Sequence, residues 1–412
     1  MNKKKEFLFL CQFFYPEYIS SAALPFETAE ALVNAGLSVG VLCGYPKEYS
    51  LSTDVPLKEI YKGIEIKRLR YIQLKRSNFI GRIINYFSFT LAVALNFLYL
   101  KNYKTIIVYS NPPILPLIAA AASKLFKTKF IFVCYDVYPE IAYITNSISE
   151  GSIIAKLMNF INKVVFKYVN KVVALSSEMK DFLLLNRQQL KEEKVEVIPN
   201  WYEAKEIQDI SKSYFNKLFQ DLKPKENLIV GYYGNLGICQ DLDIILRAIR
   251  ELRNFNGIKF VFAGHGNKMR ILKSITKEEE LSNVIIYDFL HGQDFQDALN
   301  ITDCFIVSLV NGLTGLAVPS KTYSYMMAGK PIIAIMGENS DIARDLIENK
   351  AGFVIQPGET SKLIDALKDL YYNQEKIKIM GENCRDVFLK KYTKEKCTNQ
   401  YVKLMKEILE DE

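Results

Sequence analysis

The feature that most constrains this chain is a repeated alternation of short, unbroken apolar runs with longer segments of helical period, in two series divided by a polar stretch. The first series comprises Phe7 to Cys11, Val39 to Cys43, Thr105 to Tyr109, Phe130 to Val133, Val172 to Leu175 and Val195 to Ile198. Runs this short suit strands buried on both faces better than helices, and strands that alternate with helices imply a parallel sheet covered on both sides. After Pro199-Asn200-Trp201 a segment rich in Lys and Glu runs to Asn227. The alternation then resumes with Ile229 to Tyr233, Phe260 to Ala263, Val284 to Tyr287, Phe305 to Leu309, Ile332 to Ile335 and Phe353 to Ile355. The pattern predicts an α/β chain of two doubly wound, Rossmann-like domains facing across a cleft. The first covers 1–200 and the second 201–385, with a C-terminal helix over 386–412 able to cross back to the first. A chain of 412 residues, 49% of them hydrophobic, has enough apolar surface for two cores.

The formal charge of +7 suits an anionic partner, and charge alone does not choose among a sugar nucleotide, a lipid diphosphate, an acidic membrane and nucleic acid. The seven cysteines lie far apart without a CxxC pair, and the histidines are His265 and His291, which reads as reduced thiols rather than a disulfide framework or a zinc site. The basic start Met1 to Lys5 leads into an apolar run that Gln12 interrupts, so it reads as a first strand rather than a signal peptide. Ile83 to Leu100 is uncharged over 18 residues but contains Asn85, Ser88, Thr90 and Asn96, which favours a buried or membrane-surface helix over a span. Before it lie Lys67, Arg68, Arg70, Lys75, Arg76 and Arg82 with Tyr71 and Phe79 interleaved, a pattern that fits either contact with anionic lipid or an ordinary solvated face.

Three segments carry the pattern of a ligand site. Gly231-Tyr232-Tyr233-Gly234-Asn235-Leu236-Gly237 runs from a strand into a glycine turn before a helix, where free amides and the helix dipole favour an anion; a purely structural turn looks the same. The motif lacks the full dinucleotide fingerprint, which argues against a nicotinamide enzyme. Gly264-His265-Gly266 repeats the arrangement after the next strand, and the carboxyl ends of parallel strands share one crevice. The third segment, Val310 to Pro331, couples a glycine loop to a helix start carrying Ser320, which can cap the helix or bind phosphate, and Lys321, a fixed cation suited to a leaving diphosphate.

With these segments, Phe14-Tyr15-Pro16-Glu17, Tyr135-Asp136-Val137-Tyr138-Pro139-Glu140 and Val197-Ile198-Pro199-Asn200 occur in an order that resembles glycosyltransferase family 4, of the glycosyltransferase B fold. The closer resemblance is to the fucosamine-transferase-like branch of capsule and O-antigen assembly. That resemblance implies a retaining transferase moving a sugar, for instance an N-acetylated amino sugar, from a nucleotide donor, UDP-linked, to a lipid-diphosphate-linked glycan. It also implies no cofactor, no metal, no nucleic-acid partner, and a cytoplasmic chain lying on the inner face of the plasma membrane against its anionic surface.

Residue by residue, it implies Gly234, Asn235 and Gly237 at the diphosphate, Gly264 and Gly266 lining the nucleotide crevice, and Phe289 and Leu290 at the base. Gly315, Leu316, Ala317 and Val318 would offer amides to the donor, beside Ser320 and Lys321. A loop of Ser20, Ser21, Ala22 and Ala23 would close over the donor, while Asp136 and Glu140 would face acceptor and transferred sugar, acting with Lys321 in the chemistry. Two departures stand out. The family's paired glutamates are replaced by Leu316 and Ser324, which leaves ribose recognition unexplained unless Glu338 or Asp341 substitutes, and its Arg and Lys after the first glycine turn are Asn235 and Gln240. Two other functions fit the same architecture: a sugar-nucleotide epimerase, and a non-catalytic membrane assembly partner with a decayed site.

Overall fold

The computed structural model describes residues 4–47, 49–50, 54–75, 79–206, 213, 216–223 and 226–410. Met1 to Lys3, Arg76 and parts of the 199–227 linker singled out above lie outside the described residues. The chain divides into two compact units: the first is Met1–Asn200 with Gly315–Val318 and Lys394–Glu412, the second Trp201–Thr314 with Pro319–Thr393.

The first unit holds an eight-stranded sheet in the order β3-β4-β2-β1-β5-β6-β7-β8. Its strands are β1 (Lys5–Cys11), β2 (Val39–Gly44), β3 (Lys58–Tyr61), β4 (Ile64–Leu69), β5 (Tyr103–Tyr109), β6 (Lys129–Cys134), β7 (Lys171–Ala174) and β8 (Val195–Val197). All neighbours are parallel except β3 on β4. The helices are α1 (Ser20–Asn34), α2 (Phe79–Leu95), α3 (Pro116–Phe126), α4 (Glu140–Ile144), α5 (Ile153–Tyr168) and α6 (Ser177–Asn186). Phe7, Leu8, Phe9 and Leu10 are fully buried, as befits a central strand covered on both faces.

The second unit holds a six-stranded, wholly parallel sheet in the order β11-β10-β9-β12-β13-β14. Its strands are β9 (Leu228–Tyr233), β10 (Ile258–Ala263), β11 (Val284–Tyr287), β12 (Cys304–Ser308), β13 (Ile332–Ile335) and β14 (Gly352–Ile355). They are linked by α7 (Leu242–Glu251), α8 (Asn267–Glu278), α9 (Gly292–Ile301), α10 (Lys321–Met327), α11 (Asp341–Glu348), α12 (Thr360–Tyr372) and α13 (Gln374–Lys391). The last helix, α14 (Lys394–Glu410), belongs to the first unit, where it packs on α1 and Lys394 meets Glu27 and Glu30.

The strand order reverses direction between β1 and β5 in the first sheet and between β9 and β12 in the second. Doubly wound sheets open a crevice at such a point, beyond the carboxyl ends of the strands.

The structure departs from the sequence expectations at several places. The chain returns to the first unit at Lys394 rather than near residue 386, and Gly315–Val318, expected in the second domain, also belongs to the first. Ser20 to Ala23 form the first turn of α1 rather than a loop, because Ser20 onward follows the helical burial pattern of Ala22, Leu24, Thr28, Ala29 and Leu32. The β3–β4 hairpin was hidden by its charged residues: an edge strand with exposed Lys58 and Ile60 lacks the apolar run that marks the central strands. Ile83 to Leu100 breaks into α2 and a short 3-10 helix at Phe97–Asn102, and among the described residues no helix is long and apolar enough to cross a membrane.

Candidate functional site

In the second unit the expected residues gather at the β9/β12 reversal. Tyr325, one helical turn after Lys321, reaches back to the end of β9: its hydroxyl donates to the Tyr233 carbonyl at 2.8 Å and accepts from the Tyr233 amide at 2.7 Å. Its ring stacks on Phe305 of β12 at 3.9 Å. Residues four apart share a helix face, so this anchor presents Lys321 to the same strand end. The Lys321 ammonium donates to the Asn235 carbonyl at 2.9 Å and to the Tyr232 hydroxyl at 2.8 Å, and lies 4.3 Å from the centre of the Tyr232 ring. No carboxylate pairs with it among the described residues, and burial lowers its pKa from 10.5 to about 7. A half-buried amine without an acidic partner is suited to receive an anion.

The two glycine turns fit one another, and this fit decides what their amides can do. A β-carbon on Gly264 would collide with the Gly234 carbonyl oxygen, and one on Gly266 with that of Leu236. The amides of Gly234 and Leu236 donate to the carbonyls of Ala263 and His265, both at 2.8 Å, and the Gly237 amide to Gln240 Oε1 at 2.7 Å. Lys268 donates through its amide to Leu236 O at 3.0 Å. The free amides expected at Gly234 and Gly237 are therefore already engaged by the protein, which corrects the picture of a bare amide nest and leaves the positive charge to Lys321. Gln240, at the place of a basic residue in the family, serves as a turn brace.

The other expected positions are distributed unevenly. Phe289 packs on His265 and His291, with ring centres 5.4 and 4.6 Å apart, beyond the end of β11; Leu290 follows it, half-buried. Ser320 is exposed and its hydroxyl caps no helix amide. Ser324 is buried and its hydroxyl donates to the Lys321 carbonyl at 2.8 Å, so it is engaged within its own helix rather than presented to a ribose. Asp341 pairs with Arg344 at the start of α11, and Glu338 is exposed. Among the described residues no group of three His, Cys, Asp or Glu side chains could hold a metal ion.

In the first unit the site forms beyond β5 and β6. Ser110 Oγ accepts from the amides of Tyr135 and Asp136 at 3.0 and 3.1 Å, which fixes the backbone leaving β6. Asp136 then pairs with Ala317 in an antiparallel bridge, and the Val137 amide donates to the Leu316 carbonyl at 2.9 Å. Gly315 begins this segment with a positive φ of 81°, and a β-carbon there would press on the backbone of Glu178. Gly315 to Val318 thus lie beside Asp136 within the first unit. Burial raises the Asp136 carboxyl from 3.8 to about 6. It lines a small pocket with Ser110, Tyr138, Asn162, Phe166 and Arg187.

Glu140 carries a partner that the sequence did not announce. It forms a two-pronged pair with Arg187, at 2.8 and 2.7 Å, and Arg187 also reaches the Tyr138 carbonyl at 3.3 Å. Asn162 donates to that same carbonyl at 2.7 Å. Glu140 therefore braces the turn that carries Asp136 rather than standing free. Ser20 is exposed and Ser21 half-buried at the start of α1. Sequence reasoning missed Ser110, Asn162, Arg187 and Tyr325: the first three act on residues distant along the chain, whereas Tyr325 was signalled only by its spacing from Lys321.

Comparison with known proteins gives the family and the fold. A family model described as Glycosyltransferase Family 4 matches residues 25–206, and one described as Glycosyl transferases group 1 matches residues 214–387. The chain is similar to the probable glycosyltransferase WbjE of Pseudomonas aeruginosa, 24% identical over 265 residues, which are 63% of this chain and 65% of that protein; it thus spans just under two thirds of that relative's length. Its fold is similar to that of sucrose-phosphate synthase from Thermosynechococcus elongatus, with a TM-score of 0.76 at 13% identity over 99% of this chain and 100% of the other. It is also similar to Anabaena HepE in complex with UDP-glucose, with a TM-score of 0.71 at 17% identity over 99% and 100% of the two chains.

Proposed function

Because the chain belongs to the family 4 glycosyltransferases of the B fold, we propose that it moves a sugar from a UDP-linked donor to a lipid-diphosphate-linked glycan, with retention of configuration and without a bound metal. The observation that carries the reading is the Lys321 amine at the β9/β12 crevice, half-buried against Tyr232 and Asn235 with no carboxylate paired to it among the described residues. A diphosphate supplies the missing charge. As the glycosidic bond breaks, negative charge grows on the leaving phosphate oxygen, and a cation already in place stabilises it without reorganisation. Binding of UDP-glucose by HepE supports a nucleotide sugar as the ligand class. Phe289 beside His265 offers an aromatic surface for the base.

Retention fits a mechanism in which the acceptor hydroxyl attacks the face that the diphosphate leaves and passes its proton to the departing phosphate oxygen. Asp136 would orient that hydroxyl and steady the cationic sugar; Ser110 and the Glu140–Arg187 pair hold it in place. The amino-sugar donor, the lipid-linked acceptor and attachment to the inner membrane surface follow from the resemblance of the motifs to surface-polysaccharide enzymes.

The test is incubation of the chain with UDP sugars and a polyprenyl-diphosphate glycan, with product analysis by mass spectrometry. Transfer is expected, unaffected by a chelator, with Lys321→Ala lowering kcat about 100- to 1,000-fold while the protein stays folded. Interconversion of the donor without acceptor, or no turnover of any donor, would overturn the reading.

A further inference from the structure

We propose that Tyr232 and Ser308 are positioning residues that let Lys321 change its protonation state when the diphosphate arrives. The inference rests on the proposed function for the identity of that anion, and it gives a role to two side chains of the second unit that do not themselves touch the reacting atoms.

Half-buried and without a paired acid, Lys321 sheds part of its charge near neutral pH in the unliganded chain and regains it against an anion. Such a lysine needs partners suited to both of its states. The ammonium has three donors and no acceptor, whereas the neutral amine has two donors and a lone pair. The Asn235 carbonyl at 2.9 Å can only accept. The Tyr232 hydroxyl at 2.8 Å can accept from the ammonium or, by turning its proton, donate to the neutral amine. Burial pushes that hydroxyl well above its ordinary pKa, so it keeps its proton throughout and can only redirect it.

Redirection needs a second place for the proton to point. Tyr232 is buried with its ring beside Phe262, so bulk water does not provide one. Ser308 of β12 does. Its Oγ is buried, makes no well-formed hydrogen bond among the described residues, and lies close enough to the Tyr232 hydroxyl to act on it. A buried hydroxyl without a partner is costly, and its presence is explained if another state of the site uses it. When Lys321 is charged it donates to the Tyr232 oxygen, and the Tyr232 proton turns to Ser308. When Lys321 is neutral the Tyr232 proton turns to the amine, and Ser308 is left alone.

The surroundings leave this pair to set the state of the amine. Tyr232 of β9 is the titratable group that bonds it, and among the described residues no charged side chain acts on it. The strand β13 offers no titratable side chain, and α13, which packs on α10, turns Arg385 to the Met327 carbonyl at the far end of that helix.

The test is an NMR titration of the unliganded chain carrying isotope-labelled lysine, with the Lys321 signal identified by its loss in Lys321→Met. In the natural chain that signal should titrate at about 7. Tyr232→Phe removes a charge-assisted bond, the stronger of the two alternatives, and should lower the midpoint by about one pH unit. Ser308→Ala removes no partner of Lys321, yet should lower the midpoint by about half a unit, because the Tyr232 proton then has nowhere to turn. UDP affinity of Tyr232→Phe should fall by up to about tenfold at pH 8 and little at pH 5. Each variant deletes one oxygen, and thermal melts show that it is folded. A midpoint that stays or rises in Tyr232→Phe, or that Ser308→Ala leaves in place, would overturn the proposal. UDP binding by the natural chain with an unmoved midpoint in the variants would sink this pair alone; the expected shifts in a chain that binds no UDP would support the pair and sink the transferase reading.

Discussion

Lys321 and Asp136 are pushed in opposite directions by the same cause. Burial disfavours charge, so the amine falls to about 7 and the carboxyl rises to about 6. Each therefore costs the fold something when ionised. Because the Asp136 carboxyl holds its proton more tightly folded than unfolded, stability declines as pH rises from about 4 to about 6 and the full penalty persists above. Asp136→Asn should remove that penalty, stabilising the protein by about 1–2 kcal/mol at pH 7.5 after allowance for partial solvent access, while slowing transfer. Thermal melts at pH 4 and pH 7.5 check it: the gain should appear only at the higher pH. For Lys321 the sign is the reverse, the neutral amine being favoured folded, so stability rises with pH from about 7 to 10.5.

At the scale of elements, α10 acts as a lever fixed by Tyr325. Tyr325→Phe leaves the buried Tyr233 amide and carbonyl without their partner, which costs about 1–3 kcal/mol, and loosens the helix that carries Lys321. The expected signature is a lowered Tm together with weaker UDP binding, measured by thermal shift with and without UDP; an unchanged UDP-induced shift would separate Tyr325 from the site. The strands of both sheets were legible because central parallel strands must be apolar throughout. The β3–β4 hairpin was not, because its edge is solvated and its residues are charged. The glycines of the two turns were legible as a constraint but not as to its cause. The same Gly-x-Gly spacing serves an anion or a second turn of backbone, and the close approach of Gly264 to Gly234 and of Gly266 to Leu236 shows that here the second use is present. The pairing of Glu140 was not legible for a similar reason, since its partner Arg187 lies 47 residues away.

For the whole molecule, the chain passes between its units more than once, and α14 is the last return. Tyr401, Leu404, Met405 and Ile408 are buried there, each worth about 1.5–3 kcal/mol relative to exposure. A chain ending at Thr393 should therefore lose cooperative unfolding of the first unit, seen by hydrogen exchange as loss of protection in α1 and β2, while the second unit still binds UDP.

The central claim is that Lys321 receives the nucleotide's diphosphate. Its most direct test is calorimetry of UDP binding at pH 8 in buffers of different ionisation enthalpy, on the natural chain and on Lys321→Met. Expected are uptake of close to one proton by the natural chain, affinity falling by up to about tenfold per pH unit above 7, and no uptake with much weaker binding in the variant. UDP bound equally by both chains, or without a proton, would contradict it.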